Sequence, residues 1–227
     1  MGFLFHHRRR LVFLLLLPAI LLGCHKNFLD AKPATTLSVP TSLSDFQTLL
    51  DNTTVFNLVP TLGEASTDDY FFTNNFWQIL DLRQQNAFIW APNVFEGQGG
   101  QLDWNMPYQQ VFYANVVLDG LGSKPQADSV SEWNMVEGEA LYARAFAFYN
   151  VSQIFAPVYG MYADTMHWGI PLRLHSEISS MSTRSTIIQT YQQIINDLDS
   201  AEAFLPVMAP NGNAYRNRPV RVAAEAL

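Results

Sequence analysis

The sequence is short of cysteine and of charge. It contains one cysteine, Cys24, among 227 residues, which excludes an internal disulfide framework and a cysteine-rich zinc site. Charged residues make up 15% of the chain, against about 25% in a typical globular protein. The 13 Lys and Arg are outnumbered by 20 Asp and Glu, and three of the cations lie together at positions 8–10. Because nucleic-acid binding needs clustered cations to neutralise phosphates, this balance argues against that function.

Motifs of common enzymes are also missing. The sequence has no HExxH, no GxSxG and no phosphate-binding P-loop. Outside the N-terminal region the histidines are His167 and His175, in one predicted loop. We therefore assign no catalytic residue, no metal site and no cofactor. A glycosidase needs two carboxylates about 5–9 Å apart. Asp68 or Asp69 could be arranged in this way with Glu96, although nothing in the sequence pairs them.

The first 23 residues have the pattern of a secretory signal. A basic start, His6 to Arg10, precedes an uncharged run from Leu11 to Leu22. As a helix this run spans about 18 Å, too short for a bilayer core of about 30 Å, which favours a cleaved signal. It ends at Leu21-Leu22-Gly23-Cys24, which resembles a bacterial lipobox, where the cysteine is lipidated and becomes the new N-terminus. The alternative is an ordinary secretory signal or an uncleaved anchor, with Cys24 incidental.

The rest of the chain carries the period of amphipathic helices. Apolar residues recur every three or four positions in several segments, which predicts a mainly α-helical protein. These segments are Ser42–Asp51, Asp103–Leu121, Ser131–Phe155, Thr186–Leu205 and Val220–Leu227. Asp103 is predicted to cap the second helix, and Gly120 and Gly122 to end it. Thr186 and Gln189 fit a capping box on the fourth helix.

Other segments lack a helical period and are predicted to be loops. They are Asn52–Gly100, Val158–Thr183 and Met208–Pro219, and residues 24–40 are interpreted as a tether. Small residues in the third helix let neighbouring helices approach closely, which suggests tetratricopeptide-like packing. The repeat consensus of about 34 residues is poorly matched, so periodicity alone indicates an α-helical chain, with an α-solenoid as one option.

Several polar residues on the predicted helices are interpreted as structural. The apolar stripe of the second helix contains Trp104, Tyr108 and Asn115. Asn115 would be a buried amide with satisfied hydrogen bonds. We expect Glu139 and Arg144 to make contacts between helices or at helix ends, and Asp197 to hydrogen-bond or form an ion pair.

Five groups of motifs follow one another along the chain. They are Cys24 with Asn27–Pro33; Trp104-x-x-x-Tyr108 with Ala114-Asn115-x-x-Leu118; Glu137–Tyr149 with Gly169-Ile170-Pro171-Leu172; Arg184-Ser185-Thr186 with Tyr191-x-x-Ile194-x-x-Asp197-Leu198-x-x-Ala201 and Leu205-Pro206; and Arg218-x-x-Arg221-x-Ala223-Ala224-x-Ala226-Leu227. Each is weak alone. In this order and spacing they resemble the N-terminal part of the SusD/RagB family, the nutrient-binding outer-membrane lipoproteins of Bacteroidota.

The resemblance implies a non-enzymatic, tetratricopeptide-like scaffold with long irregular loops. It implies a protein lipidated at Cys24, held in the outer membrane and facing the cell exterior. There it would deliver an oligosaccharide or a peptide to a SusC-like TonB-dependent transporter. One departure is His25-Lys26-Asn27, which lacks the acidic run associated with surface export. Family members are usually much longer, so we expect residues 41–227 to be the N-terminal helical domain of a truncated protein.

Candidate ligand residues lie mainly in the Asn52–Gly100 segment. Sugar binding needs aromatic faces that stack on a pyranose ring and polar groups that pair with its hydroxyls. The candidates are Trp77 and Trp90 as platforms, Asp69, Tyr70, Asn75 and Arg83 as polar partners, and Trp168 as a second platform or an edge of the transporter contact. The alternative is that these aromatic residues fill the core beneath long loops, and that Asp68 and Asp69 are turn or cap residues.

Three functions stay open on the sequence. The leading one is a lipoprotein that captures a glycan for uptake. The second is a secreted glycoside hydrolase. The third is a helical scaffold whose only partner is another protein.

Overall fold

The predicted helices are present, but the described part of the segment Asn52–Gly100, predicted to be loop, contains four short helices, and the structure has two short strands that were not predicted. Helices of four to seven residues are too short to show a sustained apolar period. The computed structural model describes residues 40–96, 101–123, 130–161, 167–209 and 216–227. The predicted signal, Cys24 and the tether up to residue 39 lie outside the described residues. Within them the elements, in chain order, are α1 Leu43–Leu50, α2 Thr53–Phe56, α3 Leu62–Ala65, α4 Asn74–Trp77, α5 Leu82–Phe88, α6 Gln101–Gly122, α7 Val130–Phe155, β1 Trp168–Pro171, β2 Arg184–Thr186, α8 Ile187–Phe204 and α9 Arg221–Ala226.

Helix α1 begins with a capping box. The Ser42 side chain accepts a hydrogen bond from the Asp45 backbone N–H at 3.1 Å, and Asp45 Oδ2 accepts one from the Ser42 N–H at 2.9 Å. These bonds satisfy backbone donors that a helix start otherwise leaves unpaired. Phe46 and Leu50 are buried, which confirms the predicted helix and its apolar face.

Helix α6 is longer than predicted, and the predicted cap is wrong. Asp103 lies inside the first turn of α6 and is buried. Its Oδ1 accepts hydrogen bonds from the backbone N–H groups of Thr61 at 2.7 Å and Leu62 at 3.2 Å. Asp103 therefore caps the start of α3 rather than its own helix. A local pattern cannot distinguish these roles, because the alternative donors lie about 40 residues away in sequence.

Gly120 does not end α6 but lies within it, where α1 packs closely against α6. A Cβ atom at position 120 would be 2.3 Å from Cζ of the buried Phe46 ring. A glycine inside a helix costs stability, and here the absence of a side chain is what allows the ring to approach.

Gly120→Ala is therefore expected to lower the free energy of unfolding by about 1–3 kcal/mol, the usual cost of overpacking a core. Gly122→Ala is the matched control, because nothing lies within 4 Å of a Cβ atom at that position. That change should be neutral or slightly stabilising. Urea denaturation of both variants measures the difference, and equal effects would contradict the proposed close approach.

The centre of the fold is a layer of three long helices. Helix α7 packs against α6 on one side and α8 on the other, and α9 packs on α8. Of the small residues in α7, Ala140, Ala145 and Ala147 are fully buried, whereas Ala143 is partly exposed. Thr186 and Gln189 form the predicted capping box at the start of α8. The fold is thus mainly helical, as the periodicity predicted.

The segment Val158–Thr183, predicted to be all loop, contains strand β1. It pairs antiparallel with β2, with Trp168 opposite Thr186 and Pro171 opposite Arg184. Tyr108 of α6 donates a hydrogen bond to the Pro171 carbonyl at 2.8 Å and so attaches the strand to the helices. A four-residue strand is too short to show an alternating pattern, which is why the sequence did not predict it.

A buried polar network joins the helices where Arg144, Asp197 and Asn115 meet. The Arg144 guanidinium donates two hydrogen bonds to Asp197, at 2.8 and 2.7 Å, and one to Asn115 Oδ1 at 3.0 Å. Asn115 Nδ2 donates to the backbone carbonyls of Arg173 and His175. The structural roles predicted for Arg144, Asp197 and Asn115 are confirmed. The network connects α6, α7, α8 and the segment after β1.

Candidate functional site

The segment between α1 and α6 forms a surface rich in exposed rings. We call it the aromatic surface and define it as residues 64–90. Its exposed large apolar residues are Tyr70, Phe71, Phe76, Ile79, Ile89 and Trp90. Burying apolar side chains is the main driving force of folding, so an exposed group of this kind is a candidate binding surface.

Phe72 organises the aromatic surface from within. Its ring centroid lies 5.1 Å from that of Tyr70, 5.2 Å from that of Phe76 and 4.7 Å from that of Phe88. These tilted arrangements are the favourable geometry for aromatic pairs. They connect α4, α5 and the segment before α4, so the exposed rings of Tyr70 and Phe76 pack against Phe72.

Trp90 is both exposed and constrained. Its side chain is 70% exposed, yet its indole N–H donates a hydrogen bond to the Ser66 carbonyl at 2.8 Å. Its backbone has φ of +52°, in the left-handed region that L-residues other than glycine avoid. Such conformations persist where surrounding contacts enforce them, and they concentrate at functional sites. The ring is therefore held in place with much of its face open to solvent.

The side chains of Tyr70 and Trp90 both donate hydrogen bonds to carbonyls at the C-terminal end of α3. The Tyr70 hydroxyl donates a hydrogen bond to the Glu64 carbonyl, two residues before the carbonyl that holds Trp90. Asp69 accepts a hydrogen bond from the Thr67 hydroxyl at 3.1 Å and is exposed. The end of α3 thus brings three predicted ligand residues, Asp69, Tyr70 and Trp90, to one part of the surface.

Trp77 and Arg83 are less available than predicted from sequence. Trp77 is half-buried and donates its indole N–H to the Gln85 carbonyl at 3.2 Å. Arg83 pairs with Asp81 at 3.4 Å and lies 3.8 Å from Asp103 of α6, with little of its side chain exposed. Both contacts fix α4 and α5 in place. Asn75, by contrast, is exposed on α4.

Trp168 belongs to another part of the fold. It begins β1, which packs with α7 and α8, and its side chain is 62% exposed. Phe71 was not among the sequence candidates, although its side chain is 81% exposed. The sequence signalled it as one aromatic among many in a polar segment, without indicating which rings face solvent.

Charged groups in the described residues do not gather into a metal centre. No set of three or more His, Cys, Asp and Glu side chains converges there. His175 Nδ1 lies 3.0 Å from Asp119 Oδ1, at the C-terminal part of α6.

Among the described residues, no helix combines the length and the apolar character needed to cross a membrane.

One family model matches most of the chain. The sequence model of the SusD-like family, described as "Starch-binding associating with outer membrane", matches residues 27–227. No curated protein matches the sequence.

Three solved structures have the same fold. A putative sugar binding protein from Bacteroides vulgatus aligns with a TM-score of 0.66 and 21% identity, over 83% of this chain and 41% of that one. A SusD superfamily protein from Bacteroides thetaiotaomicron aligns with a TM-score of 0.62 and 19% identity, over 82% and 41%. A laminarin binding SusD-like protein gives 0.57 and 18%, over 84% and 39%. The chain therefore spans about two-fifths of the length of these structures.

Proposed function

Because the chain belongs to the SusD-like family, we propose that it is a non-catalytic glycan-binding protein whose aromatic surface contacts the sugar. The observation that carries the proposal is Trp90, an exposed ring held by a hydrogen bond on a backbone conformation that tryptophan rarely adopts. Two of the structural relatives are described by their names as sugar binding and laminarin binding. Those names concern proteins of more than twice this length, so they support the ligand class only.

The chemistry of the aromatic surface suits a neutral carbohydrate. A pyranose ring presents C–H groups on its faces, and these pack against the electron-rich face of an aromatic ring. Trp90 and Phe71 supply exposed rings, while Asp69 and Asn75 supply exposed polar groups able to pair with hydroxyls. A ring already held in position loses little conformational entropy on binding, which favours affinity.

The proposal extends to the cellular setting. The family description associates its members with the outer membrane. We place this chain there through a lipid on Cys24, with residues 24–40 as a tether and the helical body facing the cell exterior. Two or more acyl chains give firm anchoring, whereas one gives marginal binding. The captured glycan would pass to a SusC-like TonB-dependent transporter as the protein partner.

Trp90→Ala is expected to weaken glycan binding by about tenfold or more, corresponding to about 1.4 kcal/mol. Isothermal titration with soluble starch and with laminarin measures this, after circular dichroism has shown that the variant is folded. Trp90→Phe should retain part of the affinity because it keeps an aromatic face.

Met181→Ala is the matched control, since Met181 is exposed on the segment between the two strands. Its affinity should equal that of the unaltered protein. Trp168→Ala, measured in parallel, shows whether the second exposed tryptophan contributes. Equal binding by Trp90→Ala and the unaltered protein would refute the assignment of the site. If the folded, unaltered protein bound none of the glycans in a panel, the proposed function itself would be refuted.

A further inference from the structure

A second group of polar residues lies away from the aromatic surface, between α1, α7 and the segment that precedes α9. Glu139 of α7 is 3% exposed, and its Oε2 accepts a hydrogen bond from Gln47 Nε2 of α1 at 2.7 Å. Arg218 donates to both carboxylate oxygens of Asp51, at 2.8 and 2.6 Å. Gln47 Nε2 also lies 3.4 Å from Asp51 Oδ1. We call these four residues the Glu139 cluster.

Two atoms of the Glu139 cluster are buried without a hydrogen-bond partner among the described residues. They are Gln47 Oε1 and Glu139 Oε1. Both are acceptors when Glu139 is ionised, so neither can satisfy the other. They belong to the same two groups that are already joined through Gln47 Nε2 and Glu139 Oε2. A buried acceptor without a donor is costly, and two in one contact call for a physical reason.

A single proton on Glu139 would give both unpaired oxygens a hydrogen bond. A protonated carboxyl has one O–H donor and one remaining acceptor oxygen, and a primary amide has one acceptor oxygen and N–H donors. The two groups are therefore complementary: the amide N–H donates to one carboxyl oxygen, while the carboxyl O–H donates to the amide oxygen. The first of these bonds is the one that the structure shows.

The same cluster holds the chain segment before α9. Asn217, Arg218 and Pro219 line a cavity of about 60 Å³ whose wall includes Glu139, Gln110 and Tyr142. The Arg218–Asp51 ion pair ties this segment to the end of α1. The segment and the buried carboxyl therefore line the same cavity.

We propose that Gln47 and Glu139 form a proton-dependent acid–amide pair that acts, with Asp51 and Arg218, as a latch on residues 216–220. With the proton bound, the cluster holds one carboxylate and one guanidinium and is electrically balanced. When Glu139 releases its proton to solvent, two carboxylates share one guanidinium and the excess charge is buried. The latch then loosens, because opening the segment hydrates the new charge.

The charges around Glu139 agree with a proton that is bound at lower pH and lost as the pH rises. Burial raises the pKa of Glu139 to about 7, while the Gln47 hydrogen bond and the charge of Arg218 lower it and Asp51 raises it. The charged groups that act on Glu139 are thus Asp51 from the end of α1 and Arg218 from the segment before α9. The cavity wall also includes Gln110 of α6, which is neutral, and Tyr142 of α7.

Hydrogen exchange followed by mass spectrometry tests the latch. The backbone amides of residues 216–218 and 220–222 should exchange several-fold faster at about pH 8 than at about pH 6, after correction for the intrinsic rate. Glu139→Gln should abolish this rise, because its amide can pair with Gln47 at every pH. Glu202→Gln is the control, since Glu202 is exposed on α8 and should leave the rise unchanged.

Infrared difference spectra of the unaltered protein supply an independent measurement. A protonated carboxyl signal should disappear over the same pH range as the exchange rate increases, and Glu139→Gln should lack it. The proposal is overturned if Glu139→Gln keeps the pH-dependent exchange, or if the unaltered protein shows no protonated carboxyl at about pH 6. Because neither readout involves a glycan, the outcome is independent of the proposed function.

Discussion

Asp197→Ala is expected to be among the most damaging single substitutions in the helical body, lowering the free energy of unfolding by about 3–5 kcal/mol. Asp197 is buried and receives both hydrogen bonds of the Arg144 fork, at 2.8 and 2.7 Å, and one from Gln193 at 2.9 Å. Removing it leaves the buried guanidinium without a counter-charge. Urea denaturation followed by circular dichroism measures the loss, and the melting temperature should fall on the order of 10 °C.

Asp199→Ala is the matched control on the same helix. Asp199 is exposed, so its replacement should change stability by no more than about 0.5 kcal/mol. The double variant Arg144→Met with Asp197→Leu should recover part of the loss, because it leaves no buried charge unpaired. Similar stabilities for Asp197→Ala and Asp199→Ala would show that the buried ion pair does not hold the helices together.

The second large effect is a dependence of global stability on Glu139 and pH. Burial raises the pKa of Glu139 from its ordinary value of 4.5 to about 7 in the folded protein. The folded state therefore binds the proton more tightly than the unfolded state does. The resulting stabilisation is complete below about pH 4.5 and is lost as the pH rises to about 7. At about 1.4 kcal/mol for each pKa unit, the loss is about 3 kcal/mol.

This effect is measured as a difference between two proteins, because other groups also titrate. The free energy of unfolding of the unaltered protein, relative to Glu139→Gln, should fall by about 2.5 kcal/mol between about pH 5 and about pH 8. Glu202→Gln, at an exposed position, should follow the unaltered protein throughout. Parallel pH curves for the unaltered protein and Glu139→Gln would mean that Glu139 does not titrate in this range in the folded state.

The sequence predicted the region of the candidate site, but not which of its residues are exposed. An aromatic-rich, amide-rich segment between two helices predicted the region that becomes the aromatic surface. It did not predict that Trp90 would be exposed and Trp77 half-buried, since both tryptophans have similar polar and aromatic neighbours in the chain. Each indole donates to a different carbonyl, Ser66 for Trp90 and Gln85 for Trp77. Those partners are chosen by the packing of α3, α4 and α5.

The sequence by itself determined helices α1, α6, α7, α8 and α9, the capping box at the start of α8, and the family. These features depend on residues three or four apart, or on short motifs, so they are readable along the chain. Only the tertiary structure decided that Asp103 caps α3, that Gly120 admits the Phe46 ring, and that β1 pairs with β2. It also brought Gln47 to Glu139 across 92 positions of sequence. Each of these depends on groups distant in the chain, whose approach is set by the packing of whole helices and not by local propensity.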